Sequence, residues 1–302
     1  MQTIDDETRA KLAGKVIVAS VSGGKDSAAM SLWLTENGIE HQRVFADTGW
    51  EHALTYEYLR GELARVIGPI VEVRGDHDMV SLVRKKGMFP SRKFRFCTQF
   101  LKVEPLLAHM DAIDEEVVNA IGIRAEESEA RAKLPAWEEP SDRNQIVWRP
   151  MLAWTEAEVI EIHKRHGLAP NPLYLKGATR VGCFPCINAQ KKEIRLVAEI
   201  APERIAEIER MERDVAAAAE ARYAEKGETF ESKGLTRPTF FQARTPDVPG
   251  GRRGMWPIGK AVEWSKTAHG GKRLELFHDP HDGCARWGMC EGPGKAPGDG
   301  DK

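Results

Sequence analysis

Residues 15–21 (KVIVASV) form an apolar run without alternation, and it breaks directly into Ser22-Gly23-Gly24-Lys25-Asp26-Ser27. An unbroken apolar run of this length suits a parallel strand buried on both faces. Asp26 to Glu36 then reads as a helix, stopped by Asn37-Gly38. Two glycines at the junction let backbone amides approach an anion, at the helix end whose free N–H groups and dipole favour negative charge. Ser22 and Ser27 offer hydroxyl donors, Lys25 offers a positive charge, and Asp26 can cap the helix or hold Mg2+. The spacing is not that of a Walker A loop, which separates its first Gly from Gly-Lys-Ser/Thr by four residues. A phosphate-binding turn at the carboxyl end of a buried strand is the expectation.

The alternation continues through the first half of the chain. Gln42–Ala46, Pro69–Val73 and Val117–Ile123 read as strands, and His52–Val66 and Val103–Met110 as helices. This predicts an α/β fold with a doubly wound, mostly parallel sheet, which binds ligands at the carboxyl ends of its strands. Thr155-Glu156-Ala157-Glu158 fits a capping box, with Trp154 and Val159 as a hydrophobic staple and a helix over Glu156–Lys164. Pro202 suits a first helical position, and Ile205, Ile208, Met211 and Val215 recur at helical spacing, so Pro202–Glu225 reads as the longest helix. Glu126–Asn144, charged and containing proline, reads as a surface loop or flap. The expected division is a nucleotide-binding core over 1–182, a smaller, irregular and helical Cys-containing region over 183–291, and a disordered tail over 292–302.

Charge and cysteine content bound the function. Forty-four Lys and Arg stand against 46 Asp and Glu, a net charge of -2. That excludes a polybasic nucleic-acid coat or an acidic tail as the main theme and leaves room for a local basic groove. No run approaches the roughly 18 apolar residues of a membrane span, and Met1–Lys11 lacks the apolar stretch of a signal peptide. Five cysteines cannot all pair within one chain. A cytoplasmic, reducing setting is expected, with no membrane partner, and cysteines acting as metal ligands, redox groups or core filler.

SVSGGKDSAAM resembles the PP-loop of the ATP pyrophosphatase superfamily. Val44–Trp50 (VFADTGW), Gly122–Arg131 (GIRAEESEAR), Pro150–Thr155 with Asn171-Pro172-Leu173-Tyr174, and Gly182-Cys183-Phe184-Pro185-Cys186 match, in order, the PAPS reductase and ATP sulfurylase branch. The resemblance implies nucleotide contacts from Ser20, Ser22, Gly23, Gly24, Lys25, Asp26 and Ser27, with Asp47 near the adenosine or a metal. It places Arg124 and Arg131 at the substrate's phosphates or sulfate, a role the bidentate guanidinium suits. Taken alone, Arg131 reads as a solvated surface charge.

Cys183-x-x-Cys186 lies in a Gly/Pro turn of the kind that lets two thiolates face one metal. The stretch from Arg95 to Pro105 resembles the segment of adenylyl-sulfate reductases in which adjacent cysteines and a downstream CxxC hold a [4Fe-4S] cluster. It also resembles the iron–sulfur ATP pyrophosphatase component of DNA phosphorothioation systems. Phe96 and Thr98 flank Cys97, so three of the four expected ligands are local, and Cys284, Cys290, a substrate atom or nothing completes the set. In a competing reading, Cys183, Cys186, Cys284 and Cys290 bind a structural zinc and leave Cys97 free. A third leaves all five reduced and unliganded.

An intact PP-loop, and a C-terminal Gly288-Met289-Cys290-Glu291-Gly292 that is not the reductases' Glu-Cys-Gly-x-His motif, favour ATP use. The resemblance then implies cleavage of ATP to AMP and pyrophosphate with Mg2+, activating an acceptor for sulfur transfer. Lys25, Asp26 and Arg124 would serve the phosphates, and Cys97 the sulfur brought by a donor protein. The alternatives are a PAPS or adenylyl-sulfate reductase, with Cys290 or Cys97 attacking sulfur, and a non-catalytic nucleic-acid-binding subunit. Arg84-Lys85-Lys86, Arg92-Lys93-Phe94-Arg95 and Arg252-Arg253 interleave cations with aromatics, as a nucleic-acid substrate would require, although such runs are more often solvated faces. His163 and His166 read as an exposed helix face and end rather than a metal pair, and His269, His278 and His281 lie near Cys284. Trp264 to Thr267 with Gly270-Gly271-Lys272 can form a second anion-binding turn or a structural one.

Overall fold

The computed structural model describes residues 3–140, 145–242, 255–267 and Trp287. Cys284, Cys290, His269, His278, His281, Arg252, Arg253, Gly270 to Lys272 and the tail from 292 to 302 lie outside the described residues. Helix α1 (Asp6–Leu12), capped by the Asp5 side chain, leads into strand β1 (Val16–Val21) and helix α2 (Lys25–Glu36). Strand β2 (Gln42–Ala46) follows. Helix α3 (Ala53–Tyr58) then runs through a π-turn into α4 (Ala64–Ile67), before β3 (Ile70–Val73) and α5 (Met79–Lys86). Helix α6 (Phe96–Thr98) continues through a second π-turn into α7 (Glu104–Asp111), and β4 (Val117–Ile121) returns to the sheet. The chain goes on through α8 (Glu129–Ala132), β5 (Trp137–Glu138), β6 (Ile146–Trp148), α9 (Glu156–Arg165) and α10 (Pro172–Leu175). Helices α11 (Lys191–Ile200) and α12 (Pro202–Ala224), the hairpin β7 (Phe241–Gln242) and β8 (Met255–Trp256), and α13 (Ile258–Lys266) complete it.

The six-stranded sheet runs β3-β2-β1-β4-β6-β5, parallel throughout except for the edge pair β5–β6. β1 is central and explains its own sequence. Ile17, Ala19 and Val21 join the core under α2 and α9, while Val18 faces the opposite cluster with Val44, Val117 and Met110 of α7. Strand order reverses between β1 and β4, so their carboxyl ends open a crevice at the topological switch point. The doubly wound sheet is therefore as the sequence predicts.

The segment read as a loop over 126–144 departs from expectation. It holds a 3-10 turn (Ala125–Glu127), α8 and β5, and Trp137 stacks on Trp148 with centroids 5.2 Å apart. Two residues of strand bounded by charged loop are too short to carry a period-two signal. Trp264 and Ser265 lie in α13, with the Ser265 hydroxyl donating to Val262 O, so this part of the suggested anion turn is helix. A second core gathers Trp50, α5, α6, α12 and α13, stapled by Glu212, whose buried carboxylate accepts from Phe240 N and Ile258 N. No helix among the described residues is long and apolar enough to cross a membrane.

His41, buried between α2 and β2, gives the fold an acid-sensitive point. Its Nδ1 donates to Ile39 O at 2.8 Å, and Nε2 lies 2.8 Å from the Ser31 hydroxyl that also accepts from Arg43 Nε. Burial, reinforced by the charge of Arg43, pulls its pKa from 6.5 down to about 4. Between those values the unfolded chain binds the proton and the native one does not, so stability falls as pH drops through that window. Lowering pH from 7 to 5 is expected to cost about 2 kcal/mol through this residue. Denaturant unfolding at both pH values checks it. His41→Gln should lose that share of the pH dependence, and an unchanged dependence would refute the assignment.

Candidate active site

The loop after β1 and the loop after β4 meet at the switch point. Gly23 takes φ +71°, a left-handed conformation open to glycine, and a Cβ there would meet the Thr55 methyl at 2.9 Å. Gly122 answers it from β4: a Cβ would lie 2.9 Å from Asp26 O and from Ser27 Cα, so only glycine permits this approach of the two backbones. Gly24 is the N-cap of α2 and brings no side-chain cap, leaving the first-turn amides to other partners. The Ser27 hydroxyl bonds Ser22 N and Gly24 O, which closes the turn on itself. Ser20, one residue before the end of β1, donates to Asn119 of β4 at 3.0 Å.

Charge is concentrated around Asp26. Lys25, 8% exposed, places Nζ 3.0 Å from the Asp26 carboxylate and 3.4 Å from Glu156. Arg124, buried at 4%, donates Nε to the other Asp26 oxygen at 2.5 Å and pairs with Glu126. Burial pushes the Asp26 carboxyl up, but Lys25 and Arg124 outweigh it and hold the group below the usual carboxylate range. Glu127 accepts from Arg124 N and pairs with Arg131, so the two motif arginines share one carboxylate, with Arg131 on the half-exposed side.

The chain after residue 160 fastens the loop from behind. Asn171 donates to Gly23 O at 3.2 Å, Lys25 N donates to the Tyr174 hydroxyl at 3.2 Å, and His163 Nε2 donates to Lys25 O at 2.8 Å. His163 is 1% exposed and packs edge-on against Trp287, with centroids 5.1 Å apart. This corrects the expectation of an exposed polar helix face. His163 stands one turn after Val159 on the inward stripe of α9, and burial holds its pKa below the ordinary value. His166 is the C-cap of α9 and pairs with Glu36.

Asp47, just past β2, opens a second polar line. Its Oδ1 accepts from Tyr56 Oη at 2.6 Å and from Gly49 N. Tyr56 also reaches Glu51, whose buried carboxylate accepts from Thr48 and approaches Cys183 Sγ at 3.9 Å. Trp50 clamps the Cys183–Cys186 turn by donating Nε1 to Pro185 O, while Phe184 N donates to Trp50 O at 2.8 Å. Cys97, Cys183 and Cys186 are thereby brought close enough for their charges to act on one another. Burial, with the neighbouring cysteines, pushes the Cys97 thiol up to about 11. Lys102 is held charged, first by Cys183 and then by Glu51 and Cys186, against the effect of its burial.

The thiols of Cys97, Cys183 and Cys186 are soft donors, suited to iron–sulfur or zinc and not to Mg2+. As they stand, no three His, Cys, Asp or Glu side chains among the described residues are grouped to hold a metal ion. Glu51, Lys102 and His163 are the residues that sequence reasoning missed. Only His163 carried a usable signal, its i, i+4 spacing from Val159.

Comparison with known proteins identifies the family of the chain. The phosphoadenosine phosphosulfate reductase domain family matches residues 16–189. An uncharacterized 37.8 kDa protein of Escherichia phage 186 is 33% identical over 91% of this chain and 96% of its own length. An adenosine 5'-phosphosulfate reductase of Chelativorans sp. is 29% identical over 58% of this chain and 70% of its own. The crystal structure of phosphoadenylyl-sulfate reductase from Candida auris superposes with a TM-score of 0.46 at 18% identity, covering 59% of this chain and 86% of that one. The chain belongs to the phosphoadenosine phosphosulfate reductase domain family.

Proposed function

We propose that this protein binds ATP at the loop after β1 and cleaves it between the α- and β-phosphates. An acceptor oxygen attacks the α-phosphorus, the bond to the bridging oxygen breaks, and pyrophosphate leaves with its electron pair. The observation that carries the reading is the glycine loop whose first-turn residue Lys25 and facing Arg124 converge on Asp26. Two buried cations at a helix N-terminus offer position and electrostatic stabilisation, which is what phosphoryl chemistry requires of a protein. Ser22, Gly23, Gly24 and Ser27 would line the phosphates, Asp47 the adenosine side, and Arg131 the outer phosphate. Mg2+ would be held by the phosphates together with Asp26. Trp287 packs against Tyr174 and His163, the residues that hold Lys25, which supports a contribution of the C-terminal region to holding the nucleotide loop.

The free, half-buried thiols of Cys97, Cys183 and Cys186 support the second half of the proposal, in which the adenylylated acceptor receives sulfur and releases AMP. Cys97, Cys183 and Cys186 would hold a [4Fe-4S] cluster or take sulfur from a donor protein, with a thiol outside the described residues as the fourth ligand. A bound cluster supplies soft-ligand sulfur and redox chemistry, while Lys102 keeps a positive charge beside the thiols and Glu51 balances it. The relatives named as adenosine 5'-phosphosulfate reductases favour a second reading, reduction of a sulfonucleotide to sulfite.

Incubation with labelled ATP and Mg2+, with acceptors varied, should yield AMP and pyrophosphate. Lys25→Ala and Arg124→Ala should each lower that rate about 100-fold or more. Sulfite from adenylyl sulfate plus a thiol reductant, with no pyrophosphate from ATP, would replace the first reading by the second. Anaerobically purified protein should carry iron and sulfide with a broad visible absorbance, lost in Cys97→Ser and Cys183→Ser. Stoichiometric zinc without colour would overturn the cluster.

A further inference from the structure

Residues 84–95 (RKKGMFPSRKFR) carry six Lys or Arg and no Asp or Glu, in a chain of net charge -2. Arg84, Lys85 and Lys86 end α5, Gly87 turns the chain at φ 62°, and the Arg222 guanidinium of α12 lies over that glycine. Arg84 is matched by Asp214 at 2.6 Å, and Lys86 lies 4.2 Å over the Phe100 ring. Arg92, Lys93 and Arg95 are exposed, and among the described residues none of the three forms an ion pair.

Between them stands Phe94, 56% exposed. A tight turn fixes it: Ser91 N donates to Phe94 O at 3.0 Å, and Phe94 N donates to the Ser91 hydroxyl at 3.0 Å. Buried Phe96 meets its ring edge-on, with centroids 5.6 Å apart, so the ring is held in place and largely in water. An ordered aromatic set among unmatched cations is the arrangement that stacks an unpaired base and tracks a phosphate backbone.

We propose that this turn binds single-stranded nucleic acid. Arg92, Lys93 and Arg95 contact consecutive phosphates, and Phe94 stacks on a base. A duplex leaves no free base face for the ring, and an acidic protein would use the cations without needing it. Arg95 is the N-cap of α6, which carries Cys97, so the turn stands two residues from that thiol. This names a polymeric class of acceptor for the site proposed above and rests on that reading for its purpose. Binding itself is measured without ATP, so each can fail alone.

The test is fluorescence anisotropy of the full chain with labelled dT12, rU12, a dT12·dA12 duplex and poly-glutamate across 50 to 200 mM KCl. Single strands should bind more tightly than the duplex, with affinity falling as salt rises. Replacing Arg92, Lys93 and Arg95 together by Gln should flatten the log–log salt slope by about 2, at roughly 0.7 per phosphate contact. Phe94→Ala should weaken binding about tenfold and leave the slope unchanged, and Phe94→Trp should restore it. All these positions are exposed, and an unchanged thermal midpoint confirms folding. Absence of single-strand binding at 50 mM KCl, tighter duplex binding, equal affinity for poly-glutamate, or indifference to Phe94→Ala each overturns the proposal.

Discussion

The carboxylate of Asp26, shared between Lys25 and Arg124, joins the two halves of this molecule's site. Lys25 opens α2 at the end of the loop that leaves β1, and Arg124 lies in the loop that leaves β4. A doubly wound sheet forces those loops together at the switch point, and Gly122 lets their backbones touch. Two buried cations so near each other would repel strongly in a medium of low polarisability. Asp26 removes that penalty and fixes both cations in direction, with its own proton held off by the pair.

Such a site must hold its loop rigid while leaving the amides available. Three bonds from the far side meet those demands: Asn171 to Gly23 O, Tyr174 at Lys25 N, and His163 to Lys25 O. Two of them occupy carbonyls, which an anion does not need. The third uses a hydroxyl, which can give way to a phosphate oxygen as acceptor from the same N–H. His163 suits its place by remaining neutral, since an imidazolium beside Lys25 would add a third buried cation.

Legibility followed the length and regularity of the burial pattern. β1 shows itself because burial on both faces leaves an unbroken apolar run, and the glycine turn behind it can be read for its chemistry. β5 is two residues long and α5 ends in Arg84-Lys85-Lys86, so neither projects a pattern above its charged surroundings. His163 was misread because Lys164, Arg165 and His166 give its end of α9 the look of a solvated face, although Val159 lies one turn before it. The ordered motifs located Cys97 and Cys183-x-x-Cys186 separately. Their meeting depends on Trp50, which grips Pro185 and Phe184 from the loop after β2. Glu51 and Lys102 are far apart in the sequence, so the influence of one on the other has no local signature.

The remaining carboxylates decide how such a site accepts a ligand. Glu156 faces Lys25 at 3.4 Å with its side chain 27% exposed, and Glu126 faces Arg124 with its side chain 51% exposed, against 14% for Asp26. In the proposed function a polyphosphate would exchange with Glu156 and Glu126, the more exposed partners, while Asp26 stays and keeps Lys25 and Arg124 aimed. Arg131 stands at the rim, paired with Glu127, whose carboxylate also accepts from Arg124 N. In that reading the inner pair would orient the ligand, and the outer carboxylates would keep the cations in place before it arrives.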